Sequence, residues 1–232
     1  MEKYRELILL LFFLGLVWLI ERNRITRLIL YPLTLIVTFF HELGHAFAAH
    51  LSGGQAWSIR VHDDKSGVST TAGGSRIVVL NAGYLGSIIF GFLMFCLPYT
   101  PVGDWSLMII MGFLLIAMAF WVRDFFTSLL VLAVSALLIF LDNFCPVELK
   151  VFLVKFIGVC CVFYAWFRID SYGRNLKWLQ YGDVNGQHLE TDAYQLSRIT
   201  KIPAFIWVVL WRLISILVFL LMAKIALNHS TV

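Results

Sequence analysis

The chain has 232 residues, 60% of them hydrophobic and 14% charged, with a net charge of +4 and a mean hydropathy of +0.85. Soluble domains are about half apolar and about one-quarter charged, so these values mark an integral membrane protein whose first partner is the lipid bilayer. The few positive charges are spread over loops without a basic patch, which excludes nucleic acid as a partner.

Residues 7–20 form an apolar run preceded by Lys3 and Arg5. No small-residue cleavage site follows, so the run is read as retained, either as a short span or as a helix at the interface. Arg22, Arg24 and Arg27 mark a basic loop; call its side of the membrane side A. Residues 28–51 are long enough to cross to side B, and Pro32 predicts a kink.

Near the far end of that run lies His41-Glu42-Leu43-Gly44-His45. On a helix, residues four apart share a face, so His41 and His45 can point at one ion, and two neutral imidazoles suit Zn²⁺. Glu42 stands about 60° around the helix from His45, within reach of a water on the metal, and is the candidate general base. Ionisable groups inside an apolar helix cost about 2.5–3.5 kcal/mol each on insertion scales, so they are usually functional. The competing reading is a helix end at the interface. His50 falls on the opposite face from His41 and reads as a helix-end histidine.

Ser52-Gly53-Gly54 ends the helix. Trp57, Ile59 and Val61 then alternate with Ser58, Arg60 and His62, the two-residue period of a strand. A turn at residues 63–67 and a return strand at 68–71 complete a hairpin, whose free edge is a candidate seat for an extended substrate segment. Residues 77–97 form the next span, with Gly83, Ser87 and Gly91 four apart to let helices approach closely, and with Asn81 as an amide that needs partners. Residues 105–122, 125–141, 151–167 and 203–227 bring the expectation to about six transmembrane helices in one all-α, membrane-embedded domain, 1–232. Its motif core is 28–98 and its helical remainder 105–227, with a polar loop at 168–201. The cysteines, Cys96, Cys145, Cys160 and Cys161, lie in or beside apolar runs without CxxC spacing, which excludes a zinc ribbon or a disulfide framework.

The motif lacks a third metal ligand. Three further crossings put Asp142 on side A, too far away. Asp124, the 168–201 loop, and the hairpin with Asp63 and Asp64 fall on side B. The candidates are therefore Asp124, Asp170, Asp192 and, less favoured, His62 and His188. As an alternative role, Asp192 could cap a helix beginning at Ala193.

The segments HELGHAFAAHLSGG, SGVSTTAGG, NAGYLGS and TDAYQLS, in that order, resemble the site-2 protease family of intramembrane zinc metalloproteases, within it the M50B-like group. The likeness runs over residues 41–92 and again over 163–211. It implies a membrane-protein substrate, a zinc cofactor, His41 and His45 as ligands, Glu42 as base, and Asp192 or Asp170 as the third ligand. One departure stands out. Relatives carry an Asp-Ile-x-Asp-Asp run where this chain has Arg168-Ile169-Asp170-Ser171-Tyr172. That change motivates the alternative of an inactive relative that binds membrane proteins. A transporter using the same groups is disfavoured, because charges do not recur along several helices.

Overall fold

The computed structural model describes residues 4–22, 31–166, 181–184 and 187–229. Its elements are α1 (Arg5–Arg22), α2 (Tyr31–Leu51), the hairpin β1 (Gln55–Val61) and β2 (Gly67–Ala72), then α3 (Arg76–Cys96), α4 (Ser106–Trp121), α5 (Phe125–Phe144) and α6 (Val147–Val162). A second hairpin, β3 (Tyr181–Val184) and β4 (Gln187–Glu190), precedes the short helix α7 (Asp192–Thr200) and the long α8 (Ala204–His229). The sequence reading took residues 168–201 as a polar loop; β3, β4 and α7 are the order found within it.

The protein is mostly helical, and among the described residues four stretches are long and apolar enough to cross a membrane: Arg76–Tyr99, Gly103–Trp121, Phe125–Phe144 and Ala204–His229. Four rather than the expected six meet that standard, for a chemical reason. The histidines and glutamate of the motif lower the hydropathy of α2, and α6 has 16 residues with Glu148, Lys150 and Lys155 among them. Many apolar side chains point outward from the spans, including Ile89, Phe120, Leu132, Phe140 and Leu217. That is the pattern expected where the surroundings are hydrocarbon rather than water.

Three helices make the centre. The small residues of α3 divide their work. A Cβ at Gly86 would stand 2.8 Å from the Gly44 Cα, so α3 packs backbone to backbone on α2. Gly91 meets Gly158 of α6 in the same way: a Cβ on Gly158 would stand 2.6 Å from the Gly91 carbonyl oxygen. Phe39, Phe40, Leu43 and Phe95 fill the space around these crossings and are fully buried. Pro32 produces no described kink; it falls in the first turn of α2, where its missing N–H leaves no hydrogen bond unmade.

The hairpin corrects the sequence reading twice. Ile59 and Val61 are buried as the alternation requires, but Trp57 is 60% exposed. An irregularity in the pairing between Ala56 and Ser58 reverses the alternation at that point. The hairpin also does not rest at the end of α2; it runs back beside it. The Tyr31 hydroxyl donates to the Asp63 carbonyl, and the Thr38 hydroxyl donates to the Lys65 carbonyl at 3.2 Å. The turn carrying Asp63 and Asp64 therefore lies toward the start of α2, away from the side B end assigned to it. The strands pair with each other, and the outer edge of β1 is engaged by a bridge from Ile59 to Val122 and by the Val61 N–H donating to Thr127 Oγ1 at 2.9 Å. The outer edge of β1 is thus covered, and among the described residues β2 pairs with β1 alone.

Candidate metal centre

Helix α2 is buried almost continuously from Leu35 to Ala49, and His41, Glu42 and His45 are 5–7% exposed. The helical period brings the two imidazoles together on one face, with ring centroids 4.8 Å apart and Nε2 atoms 3.2 Å apart. His45 Nδ1–H donates to the Val79 carbonyl of α3 at 2.7 Å, because a carbonyl can only accept. That bond turns the lone pair of His45 Nε2 toward His41.

The third donor arrives from α7. Asp192 Oδ2 lies 3.2 Å from His41 Nε2 and 3.4 Å from His45 Nε2. Among the described residues, these three side chains are the one group of three whose donor atoms all lie within 4.8 Å of one another. Asp192 is free for this position because it does not cap its helix. Thr191 is the N-cap, and its side chain accepts from the Tyr194 N–H. Desolvation pushes the Asp192 carboxyl up, but the neighbouring imidazoles, His45 foremost and then His41, outweigh it and hold the group well below the usual carboxylate range.

The donor set fits zinc. Ligands about 2.0 Å from a tetrahedral ion stand about 3.3 Å from each other, and the observed separations are 3.2, 3.2 and 3.4 Å. Space is kept open over the histidines by Gly83: a Cβ there would lie 2.5 Å from His45 Nε2 and 2.6 Å from His41 Nε2. Glu42, one residue round the helix, lies against the start of β2. A Cβ on Gly67 would stand 2.5 Å from Glu42 Oε1.

Among the described residues, no other candidate joins this group. Asp124 caps α5, accepting from the Thr127 N–H and hydroxyl at 2.9 Å each. Asp142 pairs with Lys150 at 3.2 Å. His62 belongs to the hairpin turn, its N–H donating to the Ser66 carbonyl at 2.8 Å. His188 is in β4, and Asp170 lies outside the described residues. His50 bonds the Ala46 carbonyl at 3.0 Å and leans on Trp121, as a helix-end histidine does.

Three aromatic residues that the sequence did not single out surround the site. Tyr84 sets its ring edge to His41 at 4.6 Å and stacks on Trp211 of α8 at 4.3 Å. Trp211 Nε1–H donates to Asn81 Oδ1 at 3.1 Å, and Asn81 Nδ2 donates to the Ile77 carbonyl, which supplies the partners its amide needed. Tyr164, just past α6, lies 5.0 Å from the His41 ring and shares a hydrogen bond with Thr38 at 3.1 Å. The tyrosine of NAGYLGS was the one available signal; Tyr164 and Trp211 are brought in by distant helices.

A buried helix presents two imidazoles and a glutamate, and a carboxylate from α7 closes a triangle of donors that could hold a metal ion inside the helical bundle. The peptidase M50B-like family model matches residues 7–222, so the chain belongs to that family, the site-2 proteases. No curated protein and no solved structure matches it.

Proposed function

We propose that this chain is an intramembrane zinc metalloprotease that hydrolyses a peptide bond of a membrane-embedded protein substrate. His41, His45 and Asp192 hold the zinc, and Glu42 is the general base. The observation that supports this most directly is the donor triangle of 3.2, 3.2 and 3.4 Å beside a buried glutamate. When bound, zinc supplies Lewis acidity that brings the pKa of water to about 7 and polarises the scissile carbonyl.

The protein's own groups do the rest. The Val79 carbonyl fixes the tautomer of His45. Glu42 takes a proton from the attacking water and returns it to the leaving amine. A helical substrate must first unwind, because its own hydrogen bonds shield the carbonyl. Among the described residues β2 pairs with β1 alone. An extended substrate segment seated on the outer edge of β2 passes Glu42 at Gly67. The outer edge of β1 is already engaged by Val122 and Thr127.

The test is zinc content and cleavage of a membrane-embedded reporter, parent against Glu42→Gln. The variant keeps its zinc and loses about 10²–10⁴-fold in rate, the usual share of a general base. Equal cleavage by both refutes the mechanism. A parent that binds membrane proteins but holds no zinc supports the inactive relative, the reading motivated by the altered run at 168–172.

A further inference from the structure

Thr38 lies on α2 one helical turn before Glu42 and is fully buried. A threonine in a helix ordinarily turns its hydroxyl back to a carbonyl of the preceding turn. Thr38 reaches away from its helix instead. Its partners are the Lys65 carbonyl in the hairpin turn, 27 residues later, at 3.2 Å, and the Tyr164 hydroxyl, 126 residues later, at 3.1 Å. A carbonyl only accepts, so Thr38 spends its single proton on Lys65, and Tyr164 donates to Thr38. One hydroxyl thus joins α2, the hairpin turn and the residue just past α6.

The turn it grips is tied within itself. The Lys65 N–H donates to the His62 carbonyl at 3.0 Å, the His62 N–H to the Ser66 carbonyl at 2.8 Å, and the Ser66 N–H to Asp64 Oδ1 at 2.8 Å. Gly67 follows and opens β2. Two residues of extended chain span about 7 Å, and four residues of helix rise about 6 Å. The spacings match, so Lys65 over Thr38 brings Gly67 over Glu42. The contact found there is tight: a Cβ on Gly67 would stand 2.5 Å from Glu42 Oε1 and 2.6 Å from its Cγ. Its neighbours Ser66 and Val68 both carry the Cβ for which that contact has no room.

We infer that Thr38 is a positioning residue: it pins the register of β2 along α2, and so selects which bond of a substrate strand lies at Glu42. The selection of the bond rests on the proposed reading of β2 as the substrate's seat. With the pin in place, a fixed residue of the added strand stands opposite Gly67. Without it the seat slides along the helix, and neighbouring bonds come within reach of the base.

The test uses the full-length protein in detergent. Thr38→Val and Thr38→Ala both remove the hydroxyl, the first keeping the shape of the side chain and the second leaving room. Thr38→Ser keeps the hydroxyl, and Tyr164→Phe leaves the bond to Lys65 in place. Amide hydrogen exchange over residues 62–68, read by mass spectrometry, needs no substrate. It rises about tenfold in Thr38→Val and Thr38→Ala, the size of one hydrogen bond, and stays near the parent rate in Thr38→Ser and Tyr164→Phe. The termini of the products from a membrane-embedded reporter then give the register. Thr38→Val spreads its cuts over more bonds than the parent does, with zinc content unchanged, and Thr38→Ser restores the parent pattern. Exchange at the parent rate in both hydroxyl deletions overturns the proposal, as does a parent pattern of cuts in Thr38→Val. A Tyr164→Phe variant that spreads its cuts as far as Thr38→Val equally overturns it. A parent that cuts nothing counts against the protease reading alone, and the exchange comparison still decides whether Thr38 holds the turn.

Discussion

Replacing Gly83 by alanine adds one methyl group at the point where α3 faces the two imidazoles. That carbon would be 2.5 Å from His45 Nε2 and 2.6 Å from His41 Nε2, against an ordinary contact of 3.4–4 Å. One or both rings must therefore move by about 1 Å, while zinc ligation tolerates about 0.2 Å. The backbone itself gains: alanine in a helix interior is about 0.5–1 kcal/mol better than glycine. Overpacking costs about 1–3 kcal/mol, so the net destabilisation stays below about 2.5 kcal/mol and the fold survives. Zinc affinity does not survive, and falls by at least about 100-fold, the upper range for disturbing the shell around a metal ligand. Zinc per chain, measured by atomic emission after equilibration in a graded set of chelator buffers, reads this directly. Gly112→Ala is the control, because a Cβ there meets nothing within 4 Å. If Gly83→Ala holds zinc as the parent does, the ion is not gripped by His41 and His45 on the face that α3 covers.

The hairpin and α7 give further tests. Gly67→Ala places a methyl 2.5 Å from Glu42 Oε1, so cleavage should fall with zinc content unchanged; a parallel loss of zinc would show that Gly67 acts on the metal and not on the base. Asp192→Asn should lower zinc content while leaving helix content intact, since Thr191 caps α7; full zinc retention would move the third ligand to another residue. Thr191→Ala removes that cap, worth about 1 kcal/mol. It should weaken zinc binding about fivefold through the orientation of Asp192, and an affinity equal to that of Asp192→Asn would argue against so modest a positioning role. Proline at Ser69 and at Thr70, tested separately, removes one N–H from each edge of β2 in turn. The position whose N–H faces the free edge should lose cleavage and keep zinc; if both variants cleave as the parent does, the substrate does not add to β2.

Much of the site was legible because its signals are local. His41, Glu42 and His45 are joined by one helical turn, and a periodicity of 3.6 residues places them without knowledge of any other element. The hairpin was legible as alternation, but the irregularity at Ala56 and Ser58 was not, because nothing in the residue types announces an extra residue in the pairing. Its direction was hidden for a related reason: whether a hairpin caps a helix or folds back along it depends on what meets its outer edge, here Val122 and Thr127 more than sixty residues later. Of the six expected spans, four meet the standard of length and apolarity; α2 falls below it because of its histidines and glutamate, and α6 because it is short and carries charges.

The amino-acid sequence by itself determined the membrane setting, the pair of imidazoles and the neighbouring glutamate, because hydropathy and helical spacing act over a few residues. It left Asp124, Asp170 and Asp192 in competition, since a carboxylate's reach is set by how distant helices pack. Only the tertiary structure brought Asp192 to the histidines, at 3.2 and 3.4 Å. It did so by giving the capping role to Thr191, and by closing α2, α3 and α6 through glycines whose missing side chains let the backbones touch.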